Sequence, residues 1–236
     1  MAVAFDAVGP SAAGASSTNS TTLSWSHTCT GSNRLVFAGC ALGKSGGDVT
    51  SWSMSATYGG TAMTSVGTQL AGSSSLTGRM AAWYLVAPAS GANTIVVTAA
   101  GGTPATLAAG SVSFTGVDQS IPVGTPVLVQ GASDGTSASC SVPGTSTGNF
   151  VVDTIATGSG GETSGQTLRW KKDVDFNSAA GNAAGSTAAG TGGSVSMSYT
   201  ISLDAWAIIA VEVRQSVPTV FLSPQRYIAR RRATLY

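Results

Sequence analysis

The sequence predicts an all-β protein, an antiparallel, jelly-roll-like β-sandwich that carries an extended C-terminal arm. Three observations predict it. Apolar residues alternate with Ser or Thr along much of the chain, which is the period of a strand with one buried face. Gly and Pro fall at short intervals, where turns need them. No window of 12 or more residues has the pattern of an amphipathic helix.

Two kinds of strand are expected along the chain. The segments 22–27, 112–115 and 195–201 alternate strictly and predict strands with one face in solvent. The more continuously apolar segments 35–42, 80–87, 94–99, 150–155 and 205–213 predict central strands. In total the sequence predicts about ten to twelve short strands, a number typical of a sandwich or jelly roll.

The Ala-rich segment 178–193 is the one place where a helix could be considered. Gly recurs there at 181, 185, 190, 192 and 193, and each Gly costs about 1 kcal/mol in a helix interior. We therefore predict a long flexible loop. No clean internal repeat is visible. The domain prediction is one β-sandwich over residues 1–213, with a subdivision near 124–148 left open, and an arm over residues 214–236.

Composition excludes several classes of function. Charged residues make up 9% of the chain, against about 25% in an average domain. The one histidine, His27, argues against a metal centre, which usually needs two or three imidazoles. The only two glutamates, Glu162 and Glu212, are 50 residues apart. We therefore expect no enzyme, no cofactor and no metal.

The three cysteines are Cys29, Cys40 and Cys140. The odd number leaves at least one thiol unpaired, and no CxxC spacing indicates a zinc site. We expect buried, reduced thiols, with a Cys29–Cys40 bridge as the alternative.

Charge is distributed unevenly along the chain. The segment 213–236 contains five Arg and no Lys, Asp or Glu, whereas residues 1–212 carry a net charge of −4. A basic terminal block of this kind is typical of an interaction arm. Apolar and aromatic anchors accompany the arginines. The predicted partner-binding residues are Arg214, Phe221, Leu222, Arg226, Tyr227, Ile228, Arg230, Arg231, Arg232 and Tyr236. No stacking aromatic interrupts Arg230–Arg232, which favours a protein surface over nucleic acid.

Three weaker motifs are interpreted as structural. The segment 38–45 fits a relaxed phosphate-loop pattern, but no helix follows it, so a turn between strands is expected. The segment 173–177 begins like an EF-hand loop but lacks the later Gly and Glu. His27 has no catalytic context, and we interpret it as structural.

Five tryptophans raise the question of sugar binding. Trp25, Trp83 and Trp206 lie in apolar strand patterns and are predicted to be core residues. Trp52 lies near a glycine turn and Trp170 precedes two lysines, so these two are the candidate exposed platforms for a glycan.

The longest apolar run, 80–87, has 8 residues, against the roughly 20 of a membrane span. The N-terminus lacks the basic and apolar regions of a signal peptide. We expect that the protein does not contact a membrane and that it is used without being exported from the cell.

Several segments together resemble a known kind of module. They are Leu23-Ser-Trp25-Ser-His27, Thr57-Tyr-Gly-Gly-Thr-Ala-Met63, 82–88, 92–98 and 112–124. The resemblance is to β-sandwich modules of tailed-phage virion proteins and of some bacterial surface proteins, and it covers roughly residues 5–213. It implies a structural role and brings no catalytic residues.

Together these observations lead us to expect a non-enzymatic virion protein, specifically a capsid decoration or cement protein. Its arm would bind capsid, other virion proteins or a neighbouring copy in a homo-oligomer. The alternative is a carbohydrate-binding module of a tail fibre or surface adhesin.

Overall fold

The computed structural model describes residues 1–71, 77–160, 162–174 and 181–216. These residues form eighteen β-strands and no helix, which confirms the all-β, antiparallel class. The strands of the first half are β1 Ala4–Gly9, β2 Ala15–Thr18, β3 Thr22–Cys29, β4 Leu35–Gly43, β5 Ser53–Tyr58, β6 Thr61–Ala62, β7 Thr64–Leu70, β8 Gly78–Val86, β9 Gly91–Ala100 and β10 Thr106–Thr115. Those of the second half are β11 Val127–Gln130, β12 Gly135–Val142, β13 Phe150–Thr157, β14 Thr163–Ser164, β15 Thr167–Lys172, β16 Asn182–Ala189, β17 Val195–Asp204 and β18 Trp206–Val213.

The strands make four sheets, two in each half. The first half has a large sheet, β1-β10-β4-β8-β7 with β2 also on β10, and a small sheet, β3-β9-β5-β6. The second half has a large sheet, β11-β18-β13-β16-β15, and a small sheet, β12-β17-β14. Without the short β2 and β6, each half has eight strands in the same order.

Three hydrophobic clusters join these sheets into four layers. One cluster lies between the small and large sheets of the first half, and another between those of the second half. The third lies between the two large sheets and includes Phe37, Phe114, Trp170 and Ile209. The sandwich is therefore duplicated and stacked through its large sheets. The two halves divide between β10 and β11, close to the subdivision left open near 124–148.

Strand pairing is nested in the same way in both halves. The first strand pairs with the last, the second with the seventh and the third with the sixth. A jelly roll would also pair the fourth strand with the fifth. Here the fifth strand instead borders the sixth in the large sheet. The observed pairing therefore supports an antiparallel β-sandwich but does not confirm the jelly-roll arrangement.

Burial follows the layers. The strand β3 of an outer sheet alternates strictly between exposed and buried residues, and β12 does so over its second half. The strands β4 and β10 of the inner sheet are buried at nearly every position, because both of their faces are covered. The prediction is confirmed for 22–27 in β3 and for 35–42 in β4. It was wrong for 112–115, which was expected to have one face in solvent but lies in the buried strand β10.

The Ala-rich segment is where the sequence prediction was wrong. Its central part is the strand β16, which pairs with β13 along its whole length. Small residues are required there because Trp170 lies against the strand: a Cβ on Gly185 would meet the indole nitrogen at 2.3 Å. The composition reflects close packing and not a loop.

A short sequence repeat ends each half. Val117-Asp-Gln-Ser-Ile-Pro122 follows β10, and Val213-Arg-Gln-Ser-Val-Pro218 begins at the last residue of β18. Gln119 Nε2 donates to the carbonyl of Arg34 at 3.4 Å, and Gln215 Nε2 donates to that of Thr147 at 3.0 Å. Both carbonyls lie in the loop before the third strand of the eight, so the repeated residues make equivalent contacts.

Candidate functional site

A shallow cleft of about 310 Å³ lies where the segment joining the two halves meets the end of β18. It is lined by Asp118, Ile121, Gly144, Ser146, Asn149, Glu212, Arg214 and Gln215. The chain leaves the described structure at Ser216, next to this cleft. The cleft therefore lies beside the first residues of the predicted arm.

Backbone pairing shapes the cleft. Val117 bridges to Gln215 and Val123 bridges to Val213. The turn at 118–121 bends away between these two bridges. Asp118 Oδ1 holds this turn by accepting hydrogen bonds from the backbone nitrogens of Ser120 and Ile121, at 2.8 and 3.0 Å. The side chain of Ile121 is left 61% exposed at the rim.

The charged groups of the cleft are held in fixed positions. Glu212 is buried; its Oε1 accepts from Ser146 N at 2.9 Å and Asn149 Nδ2 at 2.7 Å, and its Oε2 accepts from Arg214 Nε at 3.2 Å. Hydrogen bonds from the backbone of Ile121 and Ser120 lower the pKa of Asp118. Two carboxylates and one guanidinium thus line the cleft, an arrangement suited to polar and cationic groups of a polypeptide.

Arg214 is the one predicted arm residue that the structure describes, and it belongs to the body. Its backbone nitrogen donates to Pro122 O, its carbonyl accepts from Asp118 N, and its side chain pairs with Glu212. Ser216 N donates to Gly116 O, and the N-terminal amine of Met1 donates to Ser216 O at 2.7 Å. The first three residues of the predicted arm, 214–216, therefore still pair with the linker or with Met1.

The other predicted arm residues lie outside the described residues. They are Phe221, Leu222, Arg226, Tyr227, Ile228, Arg230, Arg231, Arg232 and Tyr236. Their role stays a prediction.

The two candidate glycan platforms are both buried, which overturns the expectation of exposure. Trp52 is 4% exposed and packs against Gly101 and Gly102. Trp170 is 1% exposed and occupies the layer between the large sheets. Added Cβ atoms on Gly110 and Gly185 would come within 2.2 and 2.3 Å of its ring, so the glycines form a slot for the indole.

The remaining tryptophans are closer to expectation. Trp25 and Trp83 are buried core residues, as predicted. Trp206 is only partly buried, against the core of the second half.

The buried His27 is a structural residue. Its Nδ1 lies 2.8 Å from Ser111 Oγ, which also accepts from Trp25 Nε1 at 2.9 Å. Both His27 and Ser111 are at most 1% exposed, so no substrate reaches this Ser–His pair. Burial lowers the pKa of His27 to about 4.

The phosphate-loop match falls at the end of β4 and the loop after it, with β5 following, as expected for a connection between strands. Lys44 lies over the Trp52 ring, 4.8 Å from its centroid. Of the EF-hand-like segment, Asp175 and Asn177 lie outside the described residues.

Cys29, Cys40 and Cys140 are buried free thiols, which confirms the preferred prediction over a Cys29–Cys40 bridge. Within the described ranges, no group of three or more His, Cys, Asp or Glu could hold a metal ion, and no helix is long and apolar enough to cross a membrane.

Comparison of the chain with models of protein families, with curated proteins and with solved structures finds no match. The cleft is thus characterised by its own geometry. Sequence reasoning missed Asp118, Asn149 and Glu212 as parts of one site. The repeated Gln-Ser-Ile/Val-Pro pattern was the signal that could have located it, because both copies end a half of the fold.

Proposed function

We propose that the chain is a non-enzymatic structural protein of a tailed-phage virion, and specifically a capsid decoration protein. Residues 217–236 would anchor it to the capsid or to a neighbouring copy. The observation that carries this proposal is the charge contrast at the cleft: a body of net negative charge ends there, and the remaining 20 residues hold four Arg and no acidic residue.

The outer faces of the body support the same role. The exposed residues of β3 are Thr22, Ser24, Ser26 and Thr28, and those of β17 include Ser196 and Thr200. Hydroxyl faces without Lys or Glu provide little electrostatic repulsion between neighbouring copies. Many weak contacts of this kind add up when copies are held on a lattice.

The position of the chain ends supports an anchor at one site. Met1 and Ser216 are joined by a hydrogen bond, so both ends of the body lie beside the linker between the halves. An anchor attached at this point would leave the outer sheets available for neighbouring copies.

The carbohydrate-binding alternative rested on Trp52 and Trp170 as exposed platforms. Both are buried, and no other observation on the described residues favours a glycan site.

The test is a truncation after Ser216. Because residues 214–216 pair with the body, this truncated chain should keep the far-UV circular dichroism and the unfolding midpoint of the full chain. It should lose binding to purified particles of the source in a co-sedimentation assay. A full-length control with Arg226, Arg230, Arg231 and Arg232 changed to Gln separates charge from the apolar anchors. Undiminished binding by the folded truncated chain contradicts the arm as the anchor.

Copy number tests the virion role itself. Quantitative mass spectrometry of purified particles should find hundreds of copies per particle for a lattice-following decoration protein. A few copies would indicate a tail or fibre position, and absence from particles would contradict a virion role.

A further inference from the structure

A cluster of three charged side chains lies at one end of the second half. Lys171 is in β15, Asp173 follows that strand, and Glu162 is in the loop between β13 and β14. Lys171 Nζ lies 3.7 Å from Glu162 Oε2 and 3.1 Å from Asp173 Oδ2. The amine thus contacts two carboxyl groups from two separate segments.

Glu162 is an unusual member of this cluster because its carboxyl group is buried. The residue is 2% exposed, and Thr157 Oγ1 donates a hydrogen bond to its Oε1. Its Oε2 faces Lys171 Nζ at 3.7 Å, which is longer than a hydrogen bond. The amine therefore contacts this buried acid more loosely than it contacts Asp173, at 3.1 Å.

The surroundings of Glu162 favour its neutral form. Burial, together with hydrogen bonding to Asp173 and the charge of that residue, raises the pKa of Glu162 to about 7. Two adjacent carboxyl groups share protons in this way because both cannot easily be ionised. A large fraction of Glu162 is therefore a carboxylic acid near neutral pH.

The three groups match the requirements for forming an amide. Lys171 supplies the amine, Glu162 supplies a neutral acid away from water, and Asp173, whose side chain is 42% exposed, can accept a proton and pass it to solvent. Lys171 Nζ also donates to the backbone carbonyl of Glu162 at 3.4 Å, which holds the amine against that residue. Holding reacting groups in contact is the main contribution a protein makes to such a step.

We propose that Lys171 and Glu162 become joined by an isopeptide bond, with Asp173 as the proton acceptor. The nitrogen of Lys171, once its ammonium proton has passed to Asp173, attacks the Cδ carbon of Glu162. The carbon–oxygen single bond of the acid breaks, and its hydroxyl leaves with a proton as water. One amide and one water molecule form, and nothing is oxidised or reduced.

The bond would tie the loop before β14 to the strand β15. The described cysteines form no disulfide, so this bond would be a covalent brace of the second half that needs no oxidant. The inference does not depend on the proposed function, because it concerns the folded chain alone.

Intact mass spectrometry of the purified full chain in denaturant tests the bond. The measured mass should be lower than the sequence mass by one water molecule, and a salt bridge would leave it unchanged. Lys171→Arg keeps the positive charge but cannot form the amide, so it should restore the full mass. Lys172→Arg, at the next position, is the matched control and should retain the loss. A full-length mass for the folded wild-type chain overturns the proposal.

Tryptic mapping identifies the acid. Trypsin cuts after Arg79, Arg169 and Lys172 but not after a modified Lys171. The expected product is a branched peptide in which residues 80–169 are joined to residues 170–172. A bond from Lys171 to Asp173 instead would overturn the assignment of Glu162.

Asp173→Asn tests the proton acceptor. It should slow the loss of water measured over time in newly synthesised chain, without changing which residues are joined. An unchanged rate would overturn the role of Asp173.

Discussion

The two halves of the molecule share one strand order but enclose different outer cores. The core of the first half is built around large apolar side chains, including Trp25, Trp52, Tyr58 and Trp83. The core of the second half contains none of the fully buried tryptophans, and its Tyr199 donates a hydrogen bond to the fully buried carboxyl group of Asp153. Identical topology therefore does not impose one kind of interior.

Asp153 lies in β13, at the end of a dense hydrogen-bond network. Its Oδ1 accepts from Ser186 N at 2.9 Å, Ser186 Oγ at 2.6 Å and Tyr199 OH at 2.7 Å. Gln166 Nε2 lies 3.4 Å from its Oδ2. Burial is the largest influence on this group and raises its pKa to about 7, although the hydrogen bonds oppose the rise.

The buried titratable group of the first half, His27, behaves in the opposite way. Burial favours the neutral form of either side chain, which means a protonated Asp153 and a deprotonated His27. The two halves should thus respond with opposite sign to a change of pH. The shared core between them, occupied by Trp170, should be indifferent to pH.

The largest expected effect concerns that shared core. Trp170→Ala should lower the free energy of unfolding by about 3–5 kcal/mol, because it empties a slot lined by both large sheets. Urea unfolding followed by circular dichroism measures it. Leu168→Ala, on the same strand but 41% exposed, is the control and should stay within about 0.5 kcal/mol of wild type. A loss under 1 kcal/mol for the Trp170 variant would mean that the halves do not depend on this layer.

The next effect separates the second half from the first. Asp153 holds its proton in the folded state up to about pH 7, whereas its ordinary value is 3.8. Its stabilising contribution is complete below the ordinary value and is lost as the pH rises towards 7, on the order of 4 kcal/mol at most. Asp153→Asn should therefore gain stability relative to wild type between pH 4 and pH 7 in urea titrations. A pH-independent difference between variant and wild type would show that Asp153 is ionised in the fold.

The smallest effect has the reverse sign and belongs to the first half. The pKa of His27 falls from 6.5 to about 4 on folding. The contribution of the neutral ring is complete above pH 6.5 and is lost as the pH falls towards 4, on the order of 3 kcal/mol at most. His27→Asn, which keeps a polar atom near Ser111, should gain on wild type as the pH falls through this window. A difference that stays constant from pH 7 to pH 4 would contradict the depressed pKa and weaken the contrast between the halves.

Local pattern was enough to predict much of the fold. The alternation in 22–27 gave a strand with one buried face, and β3 has that face. The apolar segments 35–42 and 205–213 gave central strands, and both β4 and β18 lie inside large sheets. A period of two reports which face of a strand is buried, and this information is local.

The candidate site was less accessible to sequence reasoning. Charge located the region of the arm, and Arg214 does line the cleft at its root. The pairing of Arg214 with Glu212 and with the backbone of Pro122 depends on the linker folding back from the middle of the chain. Trp52 and Trp170 were wrongly predicted to be exposed. The neighbouring Gly and Lys residues do not distinguish a tryptophan on the surface from one packed between strands.

By itself, the sequence determined the all-β class, the alternating outer faces, the buried thiols and the charge of the C-terminal segment, because each depends on composition or on neighbours along the chain. The tertiary structure alone decided that there are two stacked sandwiches, that β16 is a strand, and that Trp170 is enclosed between sheets. The physical reason is that glycine in a sequence indicates a flexible segment, because it lacks a side chain. Only the folded structure shows that the missing Cβ atoms of Gly110 and Gly185 leave room for the indole of Trp170.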